Sequence, residues 1–253
     1  MLEDSLELTL FERGTRIMQL TDAGKELLGE VRGMADAATQ ISRLAAGQSQ
    51  SAAGTVRITC SDAMATYELP RIVVSLQKKH PGIHIELFPT NEMSDLTRRD
   101  ADIAIRHVRP QQPDLIAKRL DDLDIGFFAS RDYLSSLGPM EAPEDFSAAQ
   151  FIGYGSAERL VPQLKAMGIP ATKDNFVAVS DNGPVMFELI RQGGGIGPIS
   201  AKLAKRNPEL VRILPDVAIA QLETWLITHR ELHTSRRIRY TFDHLASQLF
   251  RNG

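Results

Sequence analysis

Five short polar clusters in this chain each close a β-rich apolar run. Ser61-Asp62 follows VRITC (56–60), Thr90-Asn91 follows IHIELF (83–88), and Arg106-His107 ends DIAIR (102–106). Gly153-Tyr154-Gly155-Ser156 ends FIGY (151–154), and Ser180-Asp181-Asn182-Gly183-Pro184 joins NFVAVS (175–180) to a helical pattern. In open α/β sheets a ligand settles beyond the carboxyl ends of the strands, where the next helices begin. Free backbone N–H groups at those helix starts favour a carboxylate or another anion. Taken singly, each cluster also reads as a cap or turn, positions that Ser, Asp, Asn and Gly fill everywhere. As a set facing one cleft, they read as a binding site.

Other chemistry finds little support. RQGGGIGP (191–198) is rich in glycine, but a phosphate loop runs from strand through glycines to helix. Here a helix comes first and a strand follows, so Gly193 reads as a helix C-cap. His107 has no second His or Cys at ligand spacing, which excludes a metal site there. It reads as a loop histidine lining a cleft, or as a solvent-exposed one. No serine sits in a G-x-S-x-G elbow and no carboxylate pair stands out on one element, so neither an enzyme nor a bound cofactor is expected. Cys60 reads as a small core residue, and a lone cysteine, unable to form an internal disulfide, fits a reducing cytoplasm. Arg236, Arg237 and Arg239 read as a solvated face, and Trp225 as packing under the last strand.

The elements that must position the clusters alternate between strand and helix. A helix from about Pro70 to Lys79 has Ile72, Val73 and Leu76 on its apolar face, with Pro70 at a first helical position and Pro81-Gly82 as its stop. LIAKRL (115–120), DIGFFAS (124–130), GIGPIS (195–200), LVRIL (210–214) and TWLITH (224–229) supply further strands. A last helix presents Ile238, Phe242, Leu245 and Leu249. Such alternation implies α/β architecture, with parallel sheets covered by helices on both faces. Composition agrees: 253 residues, 43% apolar and 24% charged, with no apolar run near a membrane span and no basic-then-apolar leader, so a cytoplasmic protein is expected.

The first fifty residues differ in kind. Leu6, Leu8, Leu10 and Phe11, then Glu12-Arg13-Gly14-Thr15-Arg16, then Ile17 and Leu20 spell a small hairpin, or wing, with Arg13 and Arg16 at its tip. Thr21 is a good N-cap. Beyond it Leu27, Val31, Met34, Ala38, Ile41 and Ala45 recur at steps of 4, 3, 4, 3 and 4, a heptad seam. The helix reads either as lying on its own domain or as a dimerisation coiled coil, and the lack of a preceding domain favours the second. GQSQSAAGT (47–55) is a flexible polar linker. Residues 1–54 hold five Lys/Arg against eight Asp/Glu, and the remainder 24 against 24, so the N-terminal segment lacks the basic charge of a DNA-binding surface.

LFERGTRIMQLTDAGKELL (10–28) resembles the wing and linker-helix start of LysR-type transcriptional regulators, with the pattern LF-x-R, a short turn, then LT-x-A-G. GTVRIT (54–59), LPRIVVSLQKKHPGIHIEL (69–87), DIAIR, ASRDYL (129–134) and VSDNGPVMFELIRQGGGIGPIS (179–200) are similar to that family too, so the resemblance covers nearly the whole chain. It implies two doubly wound α/β subdomains like those of a periplasmic solute-binding protein, preceded by a winged-helix remnant and a long dimerisation helix. The implied division is a remnant at 1–20, a helix at 21–46, a linker at 47–55, subdomain I at 56–129 with 225–253, and subdomain II at 130–224. A small inducer or corepressor is expected between the subdomains, on loops that match Ser61, Asp62, Thr90, Asn91, His107, Tyr154, Asp181 and Asn182. Expected partners are operator DNA and a second copy, as homodimer or homotetramer, with no membrane. Met1 falls at the last turn of the family's recognition helix, so roughly three helices, on the order of 35–40 residues, of the DNA reader lie outside this sequence. Arg13 and Arg16 alone would give weak, salt-sensitive phosphate contacts. Two alternatives stand beside the regulator: an effector-binding dimer without DNA binding, and a solute-binding protein, which the missing leader and the heptad seam oppose.

Overall fold

Val56, Ile58 and Cys60 alternate along one strand, and all three are fully buried, as a strand central to a packed sheet requires. This strand, β3 (Gly54–Cys60), begins two residues before the expected 56. The computed structural model describes residues 2–13, 18–31, 34, 38, 51–91, 101–138, 142–215 and 219–250.

Ahead of β3 lie α1 (Leu2–Leu6), the antiparallel hairpin β1 (Phe11–Arg13) and β2 (Met18–Leu20), and helix α2 over 22–31. Glu3 ties the hairpin to α1, its carboxylate accepting from Leu10 N at 2.6 Å and Phe11 N at 3.2 Å. Thr21 caps α2, accepting from Gly24 N at 2.9 Å while donating to the Thr9 carbonyl. Gly24 packs against the Leu10 carbonyl so closely that a Cβ there would overlap it. Arg16, Ile41 and Ala45 lie outside the described residues, as does the side chain of Arg13.

The first sheet runs β4-β3-β5-β13-β6, with β4 at Ile83–Pro89, β5 at Ile103–Arg106, β6 at Leu115–Arg119 and β13 at Trp225–His229. Helices α4 (Leu69–Lys79) and α9 (Arg236–Leu249) share one core cluster with Val56, Ile58 and Cys60. Leu69, Ile72 and Leu76 face it from α4; Ile238, Phe242, Leu245 and Leu249 face it from α9, the helical spacing that buries one stripe.

The second sheet is built around β7 (Leu123–Ser130), flanked by β10 (Gly197–Ser200) on one side and by β11 (Leu210–Ile213) and β12 (Ala220–Leu222) on the other. β8 (Phe151–Tyr154) pairs with β9 (Phe176–Ser180) and joins β10 through a bridge from Phe151 to Ile196. Successive residues of β7 enter opposite cores. Phe127 and Ala129 pack with Phe146, Phe151 and Leu164 of α6 (Ala157–Ala166); Phe128 packs with Met186, Phe187 and Ile190 of α7 (Gly183–Arg191). Helices therefore cover both faces. Two short helices, α5 (Arg131–Leu137) and α8 (Ala201–Ala204), follow β7 and β10.

Both sheets share one plan: β4-β3-β5 and β9-β8-β10 are parallel, and each triplet is followed by one antiparallel strand, β13 or β7. The expected parallel pairing holds within each triplet and gives way at β13 and β7, because each half is completed by a strand arriving from the other half. β7 pairs wholly within the second sheet, while Leu123 at its start also packs against the first core. Among the described residues no helix is long and apolar enough to cross a membrane.

Candidate functional site

The two crossings bring the strand ends together around a cavity of about 870 Å³, within the size range of small-molecule sites. Ser61, Asp62, Thr90, Asn91, His107 and Tyr154, expected from sequence, all line it. Asp181 and Asn182 do not. They stand at the rim, where the Asp181 carbonyl accepts from Asn91 Nδ2 at 3.0 Å and Asn182 Oδ1 caps α7 by accepting from Val185 N at 3.0 Å. The reason is local: a helix beginning at Gly183 needs its N-cap side chain turned onto its own first turn.

Ser61 caps the short helix α3 (Asp62–Tyr67), with Met64 N donating to its hydroxyl at 3.4 Å. Asp62 spans the cleft. One carboxylate oxygen accepts from Ala63 N at 2.6 Å, the other from Gly183 N at 2.8 Å in the opposite half. A Cβ on Gly183 would stand 3.1 Å from that carboxylate and 3.2 Å from the Ala63 Cβ, so glycine permits this approach. Asn91 braces the same corner, its Oδ1 accepting from Asp62 N at 3.3 Å.

His107 ends the third strand beside the returning chain, its Nδ1 3.3 Å from Thr224 Oγ1. Burial pushes its pKa down, the Glu223 backbone bond pushes it up, and the Arg106 charge pushes it down again. The net shift is downward, so the imidazole is neutral at pH 7. Burial lifts the Tyr154 phenol, and the Asp62 and Asp181 carboxylates lift it further. Cys60 lies behind the wall with its thiol pushed up to about 12, by burial first, and is inert as a nucleophile. Trp225 begins β13; its indole donates to Glu223 at 3.0 Å and Arg109 lies over its ring. Among the described residues no group of three or more His, Cys, Asp or Glu is placed to hold a metal ion. The arrangement can bind and enclose a molecule, and among the described residues it assembles no nucleophile with a base.

A second set of cleft residues was not singled out in the sequence. Glu68, its side chain 12% exposed, receives Arg206 Nη2 at 2.9 Å, Arg71 at 3.2 Å and Lys202 at 3.6 Å, and Arg206 and Lys202 come from the other half. Burial raises the Glu68 pKa, but the Arg206 hydrogen bond and the Lys202 and Arg206 charges outweigh it, and the net shift is downward. Tyr67 and Phe187 meet across the same seam with ring centroids 5.0 Å apart. No periodicity marks these residues, since Glu68 and Arg206 are 138 positions apart.

Comparison with known proteins bears on this geometry. Residues 49–249 match the family described as the LysR substrate binding domain. The HTH-type transcriptional activator AaeR of Escherichia coli (strain K12) is 28% identical over 176 residues, an alignment taking in 64% of this chain and 57% of that relative. That match thus spans little more than half of AaeR. The HTH-type transcriptional regulator PtxR of Pseudomonas aeruginosa is 25% identical over 260 residues, with 99% of this chain and 82% of that relative aligned. The full-length structure of the Vibrio cholerae virulence activator AphB superimposes with a TM-score of 0.69 at 22% identity, over 98% of this chain and 87% of that one, and has the same fold. AaeR and PtxR are both named as regulators of transcription.

Proposed function

The chain belongs to the LysR family of transcriptional regulators, and on that footing we propose that it is the sensing part of such a regulator, taking a small-molecule effector in the cleft between its two α/β subdomains. The observation that carries this reading is the cavity of about 870 Å³ at the meeting of the strand ends, with six of the eight expected residues on its wall. The proposed division keeps 1–20, 21–46 and 47–55 as remnant, helix and linker, and places the crossing between subdomains ahead of Leu123. A thermal-shift screen against a small-molecule library tests the site. Compounds that stabilise the wild type should lose their effect in Met186→Trp, which fills the cavity, and in Val108→Trp, which obstructs it from an exposed position. Stabilisation that survives in both variants would place binding elsewhere.

The reading extends to DNA and to oligomers. PtxR aligns with 99% of this chain yet has 18% of its own length outside the alignment. That supports a DNA-reading helix-turn-helix ahead of Met1, with Arg13 and Arg16 as accessory phosphate contacts on the wing. Protein isolated from its own cells should exceed the 28.0 kDa of this sequence by roughly 4–5 kDa, as about three helices would add. A mass of 28.0 kDa would favour the effector-binding dimer without a DNA reader. Association as a dimer or tetramer is supported by the seam: Leu27 is half-buried, Ala38 is exposed, and Val31 and Met34 are 47% and 74% exposed. Apolar side chains that open to solvent in one copy need a second copy to cover them.

A further inference from the structure

The positions that sequence chemistry marks as anion sites are occupied by the chain's own groups. Asp62 stands where two helix starts converge, with Ala63 N of α3 on one oxygen and Gly183 N of α7 on the other. Ser61 Oγ accepts from Met64 N and Asn182 Oδ1 from Val185 N. The partial positive charge of a helix N-terminus thus already faces a protein carboxylate. An incoming anion would compete with a fixed like charge for the same amides.

The cations on the wall are engaged as well. Arg106 is buried and donates to Thr59 Oγ1 at 2.7 Å and to the Ile105 carbonyl at 3.3 Å. Lys202 approaches Glu68, and Arg109 lies 5.5 Å from the centre of the Trp225 ring. Among the described residues the wall sets these three cations against five carboxylates, Asp62, Glu68, Asp121, Asp122 and Asp124, of which Glu68, Asp122 and Asp124 are paired with Arg206, Arg119 and Arg212. His107 contributes no positive charge at pH 7, and the Tyr154 phenol, raised first by burial, is raised further by the Asp62 and Asp181 carboxylates. Much of the remaining wall is hydrocarbon and aromatic, including Met64, Ile105, Leu123, Ile125, Met186 and Phe187.

We infer that the cleft takes an uncharged, largely apolar effector and that Asp62 is the specificity residue that excludes its anionic analogue. The inference rests on the proposed cleft site and adds the chemical class of its ligand. Selectivity of this kind comes from a repulsive element set against the competitor: a carboxylate entering beside Asp62 meets a like charge in a partly desolvated site and finds the nearby amides already taken.

The test uses matched aromatic carboxamides and carboxylates of equal shape, titrated into the full chain by calorimetry at pH 7, with Asp62→Asn and Asp62→Ser as variants. Asn keeps an oxygen within reach of the Gly183 N–H while removing the charge, and the shorter Ser removes both the charge and that acceptor. Carboxamides should bind the wild type at least about tenfold more tightly than their carboxylate partners, and that ratio should fall towards one in whichever variant retains the wild-type far-UV spectrum. Carboxylates that bind the wild type as tightly as the carboxamides, or a ratio unchanged in the variants, would overturn the assignment of Asp62. Failure of the cleft reading looks different: neither class binds the wild type, or both bind Met186→Trp as well as the wild type. Either of those results removes this inference along with that reading.

Discussion

Removing the Glu68 carboxylate should loosen the grip between the two halves by an amount the contacts allow one to estimate. Its bond to Arg206, at 2.9 Å, is charge-assisted and has its acceptor side largely buried, which places it at about 1.5 kcal/mol. Lys202 at 3.6 Å and Arg71 at 3.2 Å add roughly 0.5 kcal/mol or less each, because the cations are 30% and 38% exposed and partly screened. Glu68→Ala should therefore cost about 2 kcal/mol at pH 7, and Glu68→Gln, which keeps an acceptor for Arg206, about 1 kcal/mol. The sign with pH follows from the lowered folded-state pKa. The contribution is complete above the ordinary 4.5 and is lost as pH falls through the folded value. Urea unfolding at fixed protein concentration, at pH 7 and again near pH 3.5, measures both effects. A double-mutant cycle with Arg206→Ala should return a coupling of about 1 kcal/mol or more. A loss below about 0.5 kcal/mol for Glu68→Ala at pH 7 would refute the reasoning. So would a gap to Glu68→Gln that is undiminished in acid.

Three further outcomes follow from other parts of the fold. Cys60, with its thiol held up to about 12 and no exposure, should not react with a disulfide reagent at pH 8 in the native protein and should react fully in denaturant; labelling at the denatured rate would place it outside the core. Gly24→Val drives a side chain into the Leu10 carbonyl and should cost about 1–3 kcal/mol of wing-to-helix docking, read as faster proteolysis within residues 8–20. Met34→Glu or Val31→Glu places a charge on the seam and should weaken self-association about tenfold or more. Sedimentation unchanged from the wild type would take the seam out of the interface.

Much of the fold was legible because it rests on local pattern. Ile238, Phe242, Leu245 and Leu249 have helical spacing and face the core, Pro70 lies in the first turn of α4, and α7 is left through Gly193 at a φ of +82°. The direction of β7 and β13 was not legible. Each is an apolar run, and nothing within such a run states which sheet it joins or in which sense. α3 escaped notice because six residues carry too little periodicity to separate from the loop before α4. In the candidate site, strand-end chemistry named loops of which six residues line the cavity and two, Asp181 and Asn182, do not, and it left open which group faces their amides. The missing fact was that Asp62 meets Gly183 across 121 positions of sequence, a pairing that only the folded chain creates. The Glu68 clamp was hidden for the same reason.

The central claim is that the space between the two halves receives a small molecule. Native mass spectrometry of the protein isolated from its own cells, compared with Met186→Trp and Val108→Trp prepared in the same way, tests it most directly. The account predicts a non-covalent small-molecule adduct on the wild type that the two variants lose. The same adduct on all three proteins, or none on any of them, would contradict it.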